Sequence, residues 1–308
     1  MRTASSATLI AFTATALLLS VLPLAALSAG ESWNNPPSNL PAGAEHKTFM
    51  SASMKTEVGY NIYLPPGYAA DKTTRWPVLY FLHGRGGNES SHTGAFAQFD
   101  QAIKDKKIPP FIYVHAMCGS HSGYVDAVDG SIMGETVFIK ELIPHIDATY
   151  RTFPLKGGRA VEGFSKGGQG ALLFAFKFPE LFSSCIGYAA GLASGAELKQ
   201  ELPAVFKQMH NDDIKQFDDT SAWAWVRRNA DKLKTGIAIK QVIGDKDQHL
   251  DRNHRMDALM KELGIPHEYL ELPGIGHDTG RVYRDVGVDG FVFHSAHFDL
   301  SKPKVKKK

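Results

Sequence analysis

The segment with the clearest chemical potential is Gly163-Phe164-Ser165-Lys166-Gly167, a Gly-x-Ser-x-Gly pattern. It follows a short apolar run and precedes a helical pattern, so the sequence predicts a strand, a sharp turn that carries Ser165, and a helix. Flanking glycines let neighbouring backbone pass without Cβ clashes, which holds the hydroxyl clear of the sheet. Such patterns also arise by chance in a chain with 29 glycines. The strand-turn-helix context nevertheless favours a nucleophilic Ser165.

A serine hydroxyl needs a base, itself oriented by a third group, before it can attack a carbonyl carbon. With the nucleophile on such a turn, the acid and then the histidine follow it in the chain. Among the late histidines, His277 lies in a Gly-rich loop after the last predicted strand. His254 and His267 lie in a predicted helix and at a strand start. Because a loop can bring the imidazole over the serine, we predict His277 as the base.

Asp245 and Asp247 both follow the preceding predicted strand, and either could supply the acid. Asp247 lies farther beyond the strand, where its carboxylate can turn toward His277, since adjacent strands lie about 4.8 Å apart. Asp245 can instead cap the turn through its own carboxylate. We predict Asp247 as the acid of a Ser-His-Asp triad.

Acyl transfer also needs two donors aimed at the developing oxyanion. The backbone N–H of Lys166, next to the nucleophile, is the first candidate. The Gly-rich loop at 83–87 follows an earlier apolar strand, and its glycines allow close backbone approach, so the Arg85 N–H is the predicted second donor. A turn without a role is the alternative reading of this loop. His83 is predicted to brace the loop rather than to react.

No cofactor or metal is predicted for this chain. The histidine pairs 249/254 and 294/297 lack carboxylates or thiols at ligand spacing. No phosphate-binding or dinucleotide glycine motif follows a strand.

The composition is that of an ordinary globular protein, with 43% hydrophobic residues and a net charge of +2. Five lysines at 301–308 account for that positive sign. The rest of the chain is mildly acidic, which argues against a nucleic-acid partner.

Short apolar runs alternate with helical patterns, which predicts an α/β fold with a mainly parallel sheet covered on both faces. The runs are 77–82, 111–116, 159–163, 185–189, 237–243 and 267–272, and an antiparallel hairpin at 47–53 and 57–64 precedes them. Helical spacing of apolar residues occurs at 138–146 and 256–263. The stretch 191–236 has no strand signal and is predicted to form a small helical insertion, either contacting substrate or only packing on the sheet.

The ends of the chain differ from this body. Residues 1–29 are typical of a signal peptide, with an uncleaved membrane anchor as the alternative. We therefore expect a secreted or periplasmic protein without a membrane span after cleavage. The expected organisation is a linker or arm at 30–46, one domain at 47–300 and a basic disordered tail at 301–308. Cys118 and Cys185 are expected to be free thiols because they lie at opposite strand ends.

Several motifs resemble the putative-esterase family of α/β-hydrolases, which includes feruloyl and other carbohydrate esterases, enterochelin esterases, S-formylglutathione hydrolase and mycolyltransferases. They are YLPPGY at 63–68, HGRGG at 83–87, ELIPHIDATYRT at 141–152, EGFSKGGQGAL at 162–172, FPELF at 178–182 and GIPHEYLELPGIGHD at 264–278. The resemblance covers about 47–297 and implies an α/β-hydrolase fold. It also implies a triad of Ser165, Asp247 and His277, with Arg85 and Lys166 as oxyanion donors.

The resemblance implies a small-molecule or polysaccharide ester as substrate, including feruloyl or acetyl esters. An acyltransferase using the same triad, a non-catalytic carbohydrate-binding protein and a peptidase are the alternatives. Members often carry Met or another apolar residue beside the nucleophile, whereas this chain has Lys166. A cation there would favour an acidic substrate group or lower a nearby pKa, unless the side chain extends to solvent.

Overall fold

A computed structural model describes residues 31–301. The predicted signal peptide at 1–29 and the lysines after Ser301 lie outside the described residues. Between residues 31 and 301, no helix combines the length and the apolar character that a membrane crossing needs.

Eight strands form one sheet in the order β1-β2-β4-β3-β5-β6-β7-β8. They are β1 (Ala44–Ser51), β2 (Thr56–Tyr63), β3 (Val78–Leu82), β4 (Ile112–Ala116), β5 (Arg159–Phe164), β6 (Ser184–Tyr188), β7 (Ala238–Gly244) and β8 (Glu268–Leu272). The β1–β2 and β2–β4 pairs are antiparallel, and every pair from β4 to β8 is parallel. The predicted hairpin and mainly parallel sheet are therefore confirmed. The first strand begins at Ala44 rather than at residue 47.

Ten α-helices accompany the sheet in the described part of the chain. They are α1 (Gly94–Lys104), α2 (Ile143–Thr149), α3 (Lys166–Lys177), α4 (Gly195–Glu201), α5 (Pro203–His210), α6 (Ile214–Thr220), α7 (Ala222–Arg228), α8 (Ala230–Leu233), α9 (Leu250–Glu262) and α10 (Thr279–His297). A π-helical segment, Thr136–Leu142, leads into α2.

Both faces of the sheet are buried, as the apolar strand sequences predict. Along β3, Val78, Tyr80 and Leu82 belong to one buried cluster, and the alternating Leu79 and Phe81 belong to another. Buried side chains of α3 and α9 join the first cluster, and those of α1 and α10 join the second. Helices therefore cover both faces, which confirms the predicted architecture.

The predicted helical segments are present, with one local difference. Phe138 and Leu142 lie in the π-helical segment, and Ile146 lies in α2. Five short helices, α4 to α8, form the predicted insertion at 191–236. The long helix α10 was not predicted. It places His294 in the core, where its Nδ1 hydrogen-bonds to the Ser184 hydroxyl at 2.8 Å.

Cys118 and Cys185 are both buried and unpaired, so the expectation of free thiols is confirmed. Burial raises the pKa of both thiols well above the ordinary value. Neither is therefore a thiolate at neutral pH.

Buried histidines make stability depend on pH. Burial holds the pKa of His83 and of His115 well below the ordinary 6.5. As pH falls below 6.5, the unfolded chain binds protons that the folded chain excludes. The free energy of unfolding should therefore fall by about 1.4 kcal/mol per pH unit for each such histidine.

Urea unfolding at pH 7.5, 6.0 and 5.0 measures this dependence. The His115 ring stacks on Phe96 and packs at a tilt against Phe81, with ring centroids 4.1 and 4.5 Å away, so His115→Phe keeps an aromatic ring there. The variant should lose less stability than the wild type between pH 6 and 5. Equal losses of unfolding free energy in the two proteins would show that His115 does not contribute to the pH dependence.

Candidate active site

Ser165 lies on a sharp turn between β5 and α3 and has a backbone φ of 59°. This left-handed φ is rare for a residue with a side chain and is common at functional turns. The Ser165 N–H donates to the Tyr188 carbonyl at 2.8 Å, and its own carbonyl accepts from the Gly191 N–H at 3.0 Å. The last residue of β6 and the segment just after it thus fix the turn from both sides.

The glycines beside Ser165 are required by close backbone contacts. A Cβ atom on Gly167 would lie 1.9 Å from the Leu82 carbonyl oxygen at the end of β3. A Cβ on Gly163 would lie 2.4 Å from the Gly167 carbonyl carbon. The predicted steric reason for the Gly-x-Ser-x-Gly pattern therefore applies here.

The structure brings Ser165, His277 and Asp247 together at the carboxyl end of the sheet. His277 Nε2 lies 2.8 Å from Ser165 Oγ, and His277 Nδ1 lies 2.8 Å from Asp247 Oδ2. With Nδ1–H donating to the carboxylate, Nε2 has the lone pair that accepts the serine proton. The Asp247 side chain is inaccessible to solvent, whereas that of His277 is partly exposed.

Asp245 and Asp247 have different partners. Asp245 Oδ1 accepts a 2.7 Å hydrogen bond from the Gly274 N–H. Asp245 therefore holds the loop that carries His277, close to the turn-capping role considered as its alternative. Asp247 contacts the imidazole itself.

Of the other late histidines, His254 Nε2 contacts Glu271 at 2.6 Å and His267 Nε2 contacts Asp257 at 2.9 Å. Neither has Ser165 as a partner.

His249 contacts the site but was not identified from the sequence. Its ring meets the His277 ring edge to face, with centroids 4.9 Å apart, and its backbone N–H donates to Asp247 Oδ1 at 2.8 Å. Burial, followed by the neighbouring His277, lowers the pKa of His249 to about 4. His249 is therefore neutral at neutral pH and adds no charge beside the imidazole.

The loop that carries Arg85 lies beside the nucleophile. A Cβ on Gly84 would lie 3.8 Å from the Ser165 Cβ, and Arg85, Ser165 and Lys166 line one cleft. The next residue is fixed by a 2.9 Å hydrogen bond from the Gly86 N–H to the Ser120 carbonyl. The two predicted oxyanion donors therefore belong to segments that flank Ser165.

His83 is fully buried, with Nδ1 2.8 Å from the Gly84 carbonyl oxygen. The Tyr124 hydroxyl donates to the His83 carbonyl at 2.6 Å. These contacts fit the predicted bracing of the loop.

Lys166 is buried, so the alternative that its side chain extends to solvent is wrong. Its Nζ donates to the carbonyls of Gly119 at 2.8 Å and Ser120 at 3.2 Å, and lies 4.6 Å from the centroid of the Tyr124 ring. After burial itself, the Lys166 charge is the next largest cause of the low pKa of His83. A cation beside the nucleophile was expected to lower a nearby pKa, and the pKa that Lys166 lowers is that of His83.

We expect Lys166→Met to act mainly on stability. Two buried carbonyls would lose their donor, so the free energy of unfolding should fall by about 1–3 kcal/mol. The preference between neutral and anionic esters should change less than about twofold, because the ammonium donors already bind carbonyls. Urea unfolding and kcat/KM for an acetyl and a succinyl ester measure both effects. Lys232→Met, at an exposed position of α8, is the matched control, and a lost anionic preference with normal stability would contradict the prediction.

The cleft beside Ser165 is bounded by the helical insertion. Its water-accessible volume is about 60 Å³. Apolar side chains of α3 to α6 form much of its wall: Leu173, Leu198, Leu202, Val205, Met209 and Phe217. Gln169, His210, Thr220 and Ser221 add polar groups. The insertion therefore lines the cleft beside Ser165, which favours the alternative in which 191–236 contacts the substrate.

A wider cavity lies at the other end of the sheet. It is lined by residues at the amino ends of strands, among them Ser183, Ala238 and Glu268. Ligands of open α/β sheets bind at the carboxyl ends of the strands, where Ser165, Asp247 and His277 lie. The cleft beside Ser165 is therefore the candidate active site.

Curated relatives include esterases. The chain is 37% identical over 164 residues to an endo-1,4-beta-xylanase/feruloyl esterase of Xylanibacter ruminicola, covering 50% of this chain and 22% of that protein. It is 34% identical over 145 residues to an esterase of Mycobacterium tuberculosis, covering 46% of this chain and 31% of that protein. The chain thus spans less than a third of the length of either relative.

Solved structures share the fold at low sequence identity. A ferulic acid esterase superposes with a TM-score of 0.73 at 22% identity, over 85% of this chain and all of that one. An S-formylglutathione hydrolase from Agrobacterium tumefaciens superposes with a TM-score of 0.71 at 18% identity, over 85% of this chain and 98% of that one. The fold is therefore that of the α/β-hydrolases, as predicted.

The family model described as Putative esterase matches residues 51–290. That range includes the turn at Ser165, the loop at Arg85 and both loops that carry Asp247 and His277. The chain belongs to the Putative esterase family.

Proposed function

We propose that this protein is a serine hydrolase of carboxylic esters. The observation that carries the proposal is the relay from Ser165 Oγ through His277 to Asp247, with both hydrogen bonds at 2.8 Å. A serine on a strained turn, an imidazole within hydrogen-bond distance of its hydroxyl and a buried carboxylate are the components that acyl transfer to serine requires. Membership of an esterase family supports the same activity.

Acylation uses the three side chains in sequence. Ser165 Oγ attacks the ester carbonyl carbon while His277 Nε2 takes its proton, and Asp247 stabilises the resulting imidazolium. The negative charge on the carbonyl oxygen is stabilised by the backbone N–H groups of Arg85 and Lys166. The C–O bond then breaks, the alcohol leaves with the proton from His277, and an acyl-serine remains.

Deacylation reverses these roles with water as the nucleophile. His277 removes a proton from water, the hydroxyl adds to the acyl carbon, and the proton returns to Ser165 Oγ as the acid departs. An alcohol in place of water would give transesterification, which is the acyltransferase alternative.

We propose feruloyl or acetyl esters of polysaccharides as the substrates. The apolar wall of the cleft, with a few polar groups, suits an acyl or aryl group. The Xylanibacter relative is named as an endo-1,4-beta-xylanase/feruloyl esterase, which supports an aryl ester. We further propose export through the segment at 1–29, and a mature N-terminus at Gly30 in intact-mass measurement would support it.

A panel of p-nitrophenyl, feruloyl and acetyl-sugar esters tests the function, with Ser165→Ala as the blank. The proposal requires turnover that depends on Ser165. Feruloyl or acetyl-sugar turnover well above that of p-nitrophenyl acetate would support the substrate class. Repeating the assay with an added acceptor alcohol separates hydrolysis from transfer, since a transferase forms mainly the new ester. Absence of turnover on the whole panel would favour the non-catalytic alternative.

A further inference from the structure

The segment at 32–43, here called the arm, packs closely against the sheet despite its Pro-rich sequence. Trp33 is only 7% exposed and belongs to the same buried cluster as the strand residue Val58. Its carbonyl accepts a 2.7 Å hydrogen bond from the Gly59 N–H of β2. The arm lies outside the family match, which begins at residue 51.

The arm binds a fully buried carboxyl group, that of Glu89. Glu89 Oε1 accepts from the backbone N–H of Asn35, and Glu89 Oε2 accepts from Asn35 Nδ2 at 3.1 Å. The Ser90 hydroxyl donates back to the Asn35 carbonyl. A Cβ on Gly59 would lie 2.1 Å from Glu89 Oε1. Glycine at position 59 therefore makes room for this carboxyl group.

Glu89 closely follows Arg85, the predicted oxyanion donor. The intervening loop is closed by a 3.1 Å hydrogen bond from the Gly87 N–H to the Gly84 carbonyl. On its other side, Asn61 Nδ2 donates to the Glu89 carbonyl at 2.8 Å. The end of the Arg85 loop is thus held between β2 and the arm.

The arm also contacts the segment at 119–120, which binds the side chain of Lys166, the other predicted donor residue. A Cβ on Gly119 would lie 3.3 Å from Cη2 of Trp33, so the indole packs against this backbone. The Gly119 carbonyl accepts from Lys166 Nζ. The adjacent Ser120 carbonyl accepts from the Gly86 N–H. Trp33 therefore supports the segment that fixes both the Arg85 loop and the Lys166 side chain.

We propose that Trp33 and Asn35 are positioning residues for the oxyanion donors, acting through Gly119 and Glu89. The inference rests on the proposed ester hydrolysis. Neither residue is placed at the reacting atoms. Donors must lie within hydrogen-bond distance of the oxyanion, and small displacements of positioned groups cost large factors in rate. Loss of the arm contacts should therefore weaken transition-state binding more than substrate binding.

The test uses the full chain and the variant Asn35→Ala, with Asn39→Ala as the matched control. Asn39 is an exposed residue of the same arm. Hydrolysis of p-nitrophenyl acetate gives kcat and KM, and phenylboronic acid gives a Ki for a tetrahedral serine adduct. We expect Asn35→Ala to lower kcat about tenfold, raise Ki about tenfold and change KM less than about twofold. Asn39→Ala should match the wild type.

Ser90→Ala provides a milder second variant if Asn35→Ala does not fold. It removes one hydrogen bond to the arm, and we expect about a threefold fall in kcat with a parallel rise in Ki. A lower melting temperature with kcat and Ki unchanged would overturn the positioning role, as would a fall in kcat with unchanged Ki. Wild-type protein without turnover would overturn the proposed function and this inference together. Normal wild-type turnover with a normal Asn35→Ala would overturn the inference alone.

Discussion

Replacing Ser165 by alanine is expected to lower kcat for ester hydrolysis by about 10⁶-fold. The variant keeps the oxyanion donors and the cleft but has no oxygen to form the acyl intermediate. His277→Ala should cost a similar factor, and the double variant little more, because the two side chains act as one unit.

The measurement is p-nitrophenyl ester hydrolysis at saturating substrate, with Ser131→Ala as the matched control. Ser131 is exposed, in a turn that does not line the cleft. The Ser131→Ala control should retain wild-type kcat. The two single variants and the double variant should unfold at urea concentrations similar to that of the wild type. Substantial turnover by folded Ser165→Ala would mean that another residue supplies the nucleophile.

Asp247→Asn is expected to lower kcat by about 10⁴-fold with little change in KM. The amide can occupy the same space at His277 Nδ1, but it can donate to that nitrogen, which favours the imidazole tautomer that has its proton on Nε2. Nε2 then cannot accept the proton of Ser165. The pH profile of kcat should also differ from that of the wild type, because the carboxylate no longer stabilises the imidazolium.

Asp245→Asn is the matched control for that loss. Its Oδ1 can still accept from the Gly274 N–H, so the loop that carries His277 stays in place and kcat should fall less than about tenfold. Steady-state kinetics of the two variants decide between the neighbouring carboxylates. A loss confined to Asp245→Asn would reverse the assignment.

Features that depend on residues close together in the sequence were predictable. Apolar runs with the right length gave the strands, and Gly264 with Pro266 gave the end of α9. The turn at Ser165 was predictable because its steric demands fall on adjacent residues. His277 and Asp247 could be chosen because both follow strands that end at the same edge of the sheet.

Contacts between distant parts of the chain were not predictable from those patterns. Lys166 could be called charged and adjacent to the nucleophile, but its carbonyl partners lie at positions 119 and 120. His249 looked like half of a weak metal pair, and only the fold shows its ring against His277.

The arm illustrates the same limit most clearly. Its Pro-rich composition indicated little regular pairing, whereas Trp33 and Asn35 contact residues far along the chain through both backbone and side-chain atoms. The helical insertion was predicted, but its position over the cleft depends on how α4 to α6 pack. That packing is a property of the whole domain.

Labelling with a fluorophosphonate tests directly whether Ser165 is an activated nucleophile, because this reagent phosphonylates a serine only when an adjacent base activates it. Intact-mass measurement gives the stoichiometry, and peptide mapping gives the modified residue. We expect one label per chain, on Ser165, with parallel loss of ester hydrolysis and little labelling of His277→Ala. A protein that hydrolyses esters while its label lies elsewhere, or that remains unlabelled at full activity, would contradict this expectation.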